Sequence, residues 1–180
     1  MTEVQGLLQY QFKDATWLEQ ALTHKSHRNE MPREEGRQDN ERLEFLGDSV
    51  LDLALSEMLM RKFTGDHEGA LSKKRASLVN EEALSGIARE IRVDEHLRLG
   101  RGERQTGGLQ KPRLLASALE AVLGAVFLDG GYESARHVVA NLFASRLEQL
   151  TAQPDYALDY KTRLQERSQE LYKEIPKYQV

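Results

Sequence analysis

The chain contains no cysteine. That absence excludes a disulfide scaffold, a thiol nucleophile, a zinc finger and a thiolate-bound iron–sulfur cluster. No apolar run approaches the ~20 residues of a membrane span. Residues 1–11 lack the basic segment and apolar run of a secretory signal, which predicts a cytoplasmic protein with no membrane partner. A basic excess is missing too: 25 Lys and Arg against 29 Asp and Glu give a net charge of −4. Taken alone, that balance argues against a nucleic-acid binder. There is no Gly-x-Ser-x-Gly elbow and no Walker loop, and Gly100-Arg101-Gly102-Glu103-Arg104-Gln105 lacks the third glycine of a dinucleotide fingerprint. No internal repeat or low-complexity tract occurs.

What is present suits a folded, soluble chain: 39% hydrophobic and 30% charged residues. The length accommodates one domain of about 150 residues with a small appendage. Long segments with helical periodicity, separated by glycine, predict helices over 15–23, 40–62, 68–78, 81–91, 114–128 and 132–150. Asp14 is positioned to cap the first, and Gly130 to stop the fifth. An all-α domain over residues 1–150 follows. Residues 151–158, with Pro154, read as a linker, and 159–172 as a short helix. Residues 175–180 read as a loop entering a strand. A strand without a partner is not a stable unit, so this end is expected to be cut off. Residues 151–180 carry five basic and five acidic groups, which assigns the net −4 to residues 1–150.

The most informative segment is Asn40-Glu41-Arg42-Leu43-Glu44-Phe45-Leu46-Gly47-Asp48-Ser49-Val50-Leu51-Asp52. On a helix, Glu41, Glu44, Asp48 and Asp52 fall at roughly 0°, −60°, −20° and +20°. Like charges at such spacing repel, unless water or a hard divalent ion such as Mg²⁺ screens them. A solvated face is one explanation. The other is a cleft, because Leu43, Phe45, Leu46, Val50, Leu51, Leu53, Ala54 and Leu55 wrap most of the circumference, and a helix apolar nearly all round is buried.

Residues 114–128 contain a single charge, Glu120, with Ser117 three positions earlier on the same face. A buried lone carboxylate pairs with a base, stays protonated or binds a metal. If Glu120 faces Glu44 and Asp48, a cation between them completes a site. Glu68 opens another helix, where the helix dipole alone explains an acid; it is also placed to serve as an outer acid of the same site.

Oxygen-only metal ligation fits phosphoryl chemistry. A polyanionic substrate then needs basic groups outside the site. Residues 97–113, read as a glycine-rich loop, hold Arg98, Arg101, Arg104, Lys111 and Arg113 against Glu103 alone. Lys73-Lys74-Arg75 is a second basic run. Both also suit a merely solvated surface. His24 and His27 have no third ligand nearby and read as structural or exposed rather than as a metal pair.

These residues also carry a resemblance. Asn40-Glu41-Arg42-Leu43-Glu44-Phe45-Leu46-Gly47-Asp48-Ser49 is similar to the signature of bacterial ribonuclease III. Ala21-Leu22-Thr23-His24-Lys25-Ser26 resembles its amino-terminal motif. The segment from Leu97 to Glu103 followed by Gly107-Gly108 also fits. So does Leu115-Ala116-Ser117-Ala118-Leu119-Glu120-Ala121 running into Phe127-Leu128-Asp129-Gly130-Gly131. Asp159-Tyr160-Lys161-Thr162-Arg163-Leu164-Gln165-Glu166 with Pro176-Lys177-Tyr178 resembles the beginning of a double-stranded RNA-binding domain, here truncated.

The resemblance implies an all-helical, homodimeric endonuclease that cuts double-stranded RNA in ribosomal and messenger RNA processing. It implies 5′-phosphate and 3′-hydroxyl ends with short 3′ overhangs. Mg²⁺ is the implied cofactor, with Mn²⁺ as a substitute. By position, the resemblance makes Glu44, Asp48, Ser117 and Glu120 the metal set, and Asp48 and Glu120 the catalytic pair. Glu41 and Glu68 become supporting acids. Arg98, Arg101, Arg104, Lys111 and Lys161 become RNA contacts, and Phe45 a dimer contact, although by its own pattern it reads as a core aromatic. One departure stands out: Ser117 replaces the family's usual aspartate. A hydroxyl is a neutral, weaker ligand, whether it binds metal directly or holds a metal-bound water. The expectation is a working enzyme with a higher Mg²⁺ requirement. The alternative is a dimer that binds duplex RNA without cutting it.

Overall fold

The computed structural model describes residues 2–31, 38–152 and 167–173. Contacts divide the chain into two compact units, Met1–Ala144 and Ser145–Val180. The described residues contain no strand, only one isolated parallel bridge between Thr23 and Arg98. The helices are α1 (Thr2–Leu8), α2 (Ala15–Ala21), α3 (Lys25–Glu30), α4 (Glu41–Lys62), α5 (Glu68–Leu78), α6 (Glu81–Glu90), α7 (Val93–His96), α8 (Arg101–Gln105) and α9 (Pro112–Ala152). The all-α expectation holds, and the six helices predicted from periodicity match α2, α4, α5, α6 and the two parts of α9 on either side of Gly131.

Helix starts follow capping chemistry. Asp14 accepts a hydrogen bond from the Thr16 amide at 2.9 Å, as predicted. Asn80 accepts from the Ala83 amide at 2.9 Å at the start of α6. His24 and His67 cap α3 and α5 through their rings, so His24 is a structural histidine. The start of α4 is tied down by backbone: the Asn40 amide donates to the Thr23 carbonyl at 2.9 Å.

Three expectations need correction. The fifth and sixth predicted helices are present within the span Pro112–Ala152, but the break between them falls at Gly131 rather than Gly130. Gly131 has φ 76° and ψ 179°, a conformation open essentially to glycine alone; Gly130 remains helical. Residues 97–113 are not merely a loop, since they contain α8 and a 3₁₀ turn over Gly108–Gln110. Short helices of four or five residues bury too little for periodicity to reveal them. The predicted linker over 151–158 starts later than expected, since α9 runs through Ala152; residues 153–158 and the strand predicted at 175–180 lie outside the described residues, whereas residues 167–172 of the predicted last helix are helical.

The core of the first unit gathers on α4 and the first part of α9. Leu51, Leu55 and Leu59 from α4, and Leu115, Leu119, Val122, Leu123 and Val126 from α9, are almost completely buried. The span Pro112–Leu150 is long and apolar enough to cross a membrane by length and composition. Most of its apolar side chains between Leu115 and Phe143 are buried in this core. Asp129 ties the amino-terminal segment to the same helix. Its carboxylate accepts from the Tyr10 hydroxyl at 2.6 Å and from the amides of Lys13 and Asp14 at 2.9 Å each.

Candidate active site

Two glycines bring α4 and α9 into backbone contact. A β carbon on Gly47 would collide with the Glu120 carbonyl, and one on Gly124 with the Leu43 carbonyl. Both glycines lie inside long helices, where glycine costs roughly 1 kcal/mol relative to alanine. Close approach of the two backbones is what that cost secures. Glu44 and Asp48, flanking Gly47, are thereby set against Ser117 and Glu120.

The electrostatics follow from this placement. Glu120 is half-buried, and its carboxyl is pushed up to about 7. Burial is the largest cause; the negative charges of Asp48, Glu44 and Asp52 add to it in that order. Removing solvent disfavours the ionised form, and each like charge disfavours it further. The hydroxyl of Ser117 donates to Glu44 Oε1 at 2.8 Å across the helix pair. Glu44, Asp48, Ser117 and Glu120 therefore form one cluster, as the sequence suggested.

Two other predicted acids have partners of their own. Glu41 forms an ion pair with Lys25 at 2.7 Å. Glu68 Oε1 accepts from the Ser72 hydroxyl on its own helix at 2.8 Å. The acid that sequence reasoning left out of the site is Asp52, whose charge does reach Glu120. Asp52 also faces Arg75 of α5, with 3.6 Å between Oδ2 and Nη1. Its place on the acidic stripe was the signal available for it.

Among the described residues, no three His, Asp or Glu side chains stand close enough to cage an ion. The donor set nonetheless fits Mg²⁺, which keeps several waters and takes one or two carboxylates with substrate phosphates rather than an all-protein cage. The charges of Asp48, Glu44 and Asp52, all within electrostatic reach of Glu120, are the surplus negative charge that such a cation offsets.

The basic residues differ in availability. Arg98, Arg101 and Arg104 are exposed. Lys111 is engaged, its Nζ lying 2.6 Å from Glu103 Oε1 and 3.2 Å from Thr106 Oγ1. Lys161 lies outside the described residues. Phe45 corrects its own pattern: it is 79% exposed. Leu53 and Met60 of the same helix are exposed as well, so α4 is not apolar all round in order to be buried on all sides. Phe45 borders a cleft of about 1100 Å³ that is also lined by Trp17, Arg42, Leu46, Arg98 and Leu128.

Comparison with known proteins agrees with this architecture. The family model for ribonuclease-III-like proteins matches residues 14–147. Ribonuclease 3 of Bdellovibrio bacteriovorus is 52% identical over 171 residues, 95% of this chain and 72% of that protein. Ribonuclease 3 of Oleidesulfovibrio alaskensis is 46% identical over 176 residues, 98% of this chain and 76% of that one. The nuclease domain of ribonuclease III from Campylobacter jejuni superposes with a TM-score of 0.73 at 41% identity, covering 81% of this chain and 97% of the other. Dicer from Pichia stipitis gives a TM-score of 0.58 at 26% identity, covering 86% of this chain and 67% of that chain. By family model, sequence and fold, the chain belongs to the ribonuclease III family of endoribonucleases.

Proposed function

We propose that this endoribonuclease hydrolyses phosphodiester bonds of double-stranded RNA with Mg²⁺, Mn²⁺ serving as a substitute. The products are 5′-phosphate and 3′-hydroxyl ends with short 3′ overhangs, formed in the processing of ribosomal and messenger RNA in the cytoplasm. The observation that carries the reading is the half-buried Glu120, raised to about 7 among Asp48, Glu44 and Asp52. A half-buried carboxyl raised towards neutrality among three other acids, in a chain of this family, supports a functional site there.

Glu44, Asp48 and Glu120 are the residues that would hold the ion. Bound there, the ion supplies activation of the attacking water and stabilisation of the leaving oxygen in an in-line displacement. Asp48 and Glu120 act as the pair that orders the incoming water. Without the ion, burial and the charges of Asp48, Glu44 and Asp52 hold the Glu120 carboxyl up at about 7; a cation there would offset those charges and favour its carboxylate. Arg98, Arg101 and Arg104 are free to meet backbone phosphates, and residues 159–180, including Lys161, begin a double-stranded RNA-binding domain. Glu41 and Glu68 serve as supporting acids around the site.

The active form is a homodimer. Phe45, Leu53 and Met60 expose apolar area on α4, and Phe45 borders a cleft with an apolar share. Exposed apolar patches of this kind mark protein contacts. Dimer formation is also named for the nuclease domain from Campylobacter jejuni.

The test is a long labelled RNA duplex incubated with the protein, in Mg²⁺ and in chelator, beside Glu120→Ala. Metal-dependent cutting that the variant abolishes is the expected result. The absence of a carboxylate at Ser117 favours one second reading, a dimer that binds duplex RNA without cutting. Intact duplex despite demonstrated binding would select it.

A further inference from the structure

We infer that Ser117 is a positioning residue: it holds the Glu44 carboxylate in register across the α4–α9 crossing and is not itself a ligand. The inference rests on the proposed metal-dependent nuclease. Ser117 is half-buried, three residues before Glu120 and on the same face of α9. Its single hydroxyl proton is given to Glu44 Oε1 at 2.8 Å. A hydroxyl has one proton to give and no charge. Committed to Glu44, it leaves a neutral oxygen among carboxylates, and a hard cation takes the carboxylates first.

The bond does specific work. Glu44 reaches into the site on a side chain with three torsions, and an unrestrained carboxylate would have to be ordered each time it binds. A hydrogen bond to a charged acceptor is among the stronger kinds. Here it is anchored on a helix that cannot slide, because Gly47 and Gly124 leave no slack between the two backbones. Engaging Oε1 leaves Oε2 as the free oxygen. Ordering a ligand before it is needed improves binding without adding a contact. The effect of Ser117 should therefore appear in metal affinity rather than in folding.

The experiment compares the full chain with Ser117→Ala, Ser117→Thr and Ser117→Cys. The first readout is the rise in melting temperature with added Mg²⁺, which follows ligand occupancy. The second is duplex cleavage as a function of Mg²⁺. The third, for the cysteine variant, is thiolate-to-metal absorption on adding Cd²⁺; the chain has no other cysteine, so any band reports position 117.

The expected result has four parts. Ser117→Ala keeps the metal-free melting temperature, alanine being the best helix former. Its half-saturating Mg²⁺ rises about three- to tenfold, the cost of ordering the freed Glu44 side chain on binding. Ser117→Thr, which retains the hydroxyl, returns most of that loss. Ser117→Cys with Cd²⁺ gives no absorption band. An unchanged half-saturating Mg²⁺ in Ser117→Ala would overturn the positioning role. A cadmium band in Ser117→Cys would overturn it differently, by showing that this side chain faces the ion as a ligand. If the unaltered chain shows neither Mg²⁺-dependent melting nor cutting, the nuclease reading fails and this inference fails with it.

Discussion

Gly47 and Gly124 oppose each other where α4 crosses α9, and neither position has room for a β carbon. The crossing is the mechanical basis of the candidate site, because Glu44 and Asp48 flank one glycine while Ser117 and Glu120 precede the other. The distance between two acidic helices is set here by the smallest residue, not by the charges it brings together.

Alanine at either glycine should therefore destabilise the chain and loosen the site together. Overpacking a tight crossing costs about 1–3 kcal/mol, and the obstruction here is backbone carbonyl, which cannot rotate away. Gly102→Ala is the control: a β carbon there meets nothing within 4 Å, and it should be neutral or slightly stabilising. Chemical denaturation of the three variants checks this. Equal stability in all three would remove the crossing from the account.

Glu120 predicts a pH dependence with a definite sign. Burial, then Asp48, Glu44 and Asp52, raise its carboxyl from 4.5 to about 7, so the folded chain holds the proton more tightly than the unfolded one. This contribution to stability is full below about 4.5 and is lost as pH rises through about 7. Water screens a half-exposed group, which leaves an effect of order 1 kcal/mol. In chelator, melting temperature should fall between about pH 5 and about pH 8, and Glu120→Gln should flatten that fall. A wild-type profile that matches the glutamine variant would contradict the raised carboxyl.

Not all basic residues of 97–113 should count equally in RNA binding. Arg101→Ala should weaken duplex binding at low salt and reduce its salt slope by about one. Lys111→Ala should do less, since its ammonium is already paired with Glu103. Binding isotherms across a salt series measure both slopes. Equal losses would mean that the Lys111 pair opens on RNA.

Phe45→Asp should turn dimer into monomer without unfolding the subunit, because the ring is 79% exposed and contributes little to the core. Sedimentation at several concentrations reads the association, and the melting curve of the diluted protein reads the fold. A dimer that survives the charge would place the interface elsewhere.

Much of this was legible in the residues in order. Periodicity and capping chemistry determined the long helices, since amphipathic patterns and polar caps act within a few residues. The acidic stripe of Glu44, Asp48 and Asp52, and the lone Glu120 in an apolar helix, were visible for the same reason. What the sequence could not settle depends on contacts between distant segments. Glu41 left the stripe for Lys25, sixteen residues away, and Lys111 turned to Glu103. Phe45 carried the pattern of a core residue but stands at the surface, because periodicity shows that a face is apolar and not what covers it. Only the packing of α4 against α9 decided that Glu44, Asp48, Ser117 and Glu120 form one cluster. The physical reason is the pair of glycines that lets two backbones, more than seventy residues apart in the chain, come into contact.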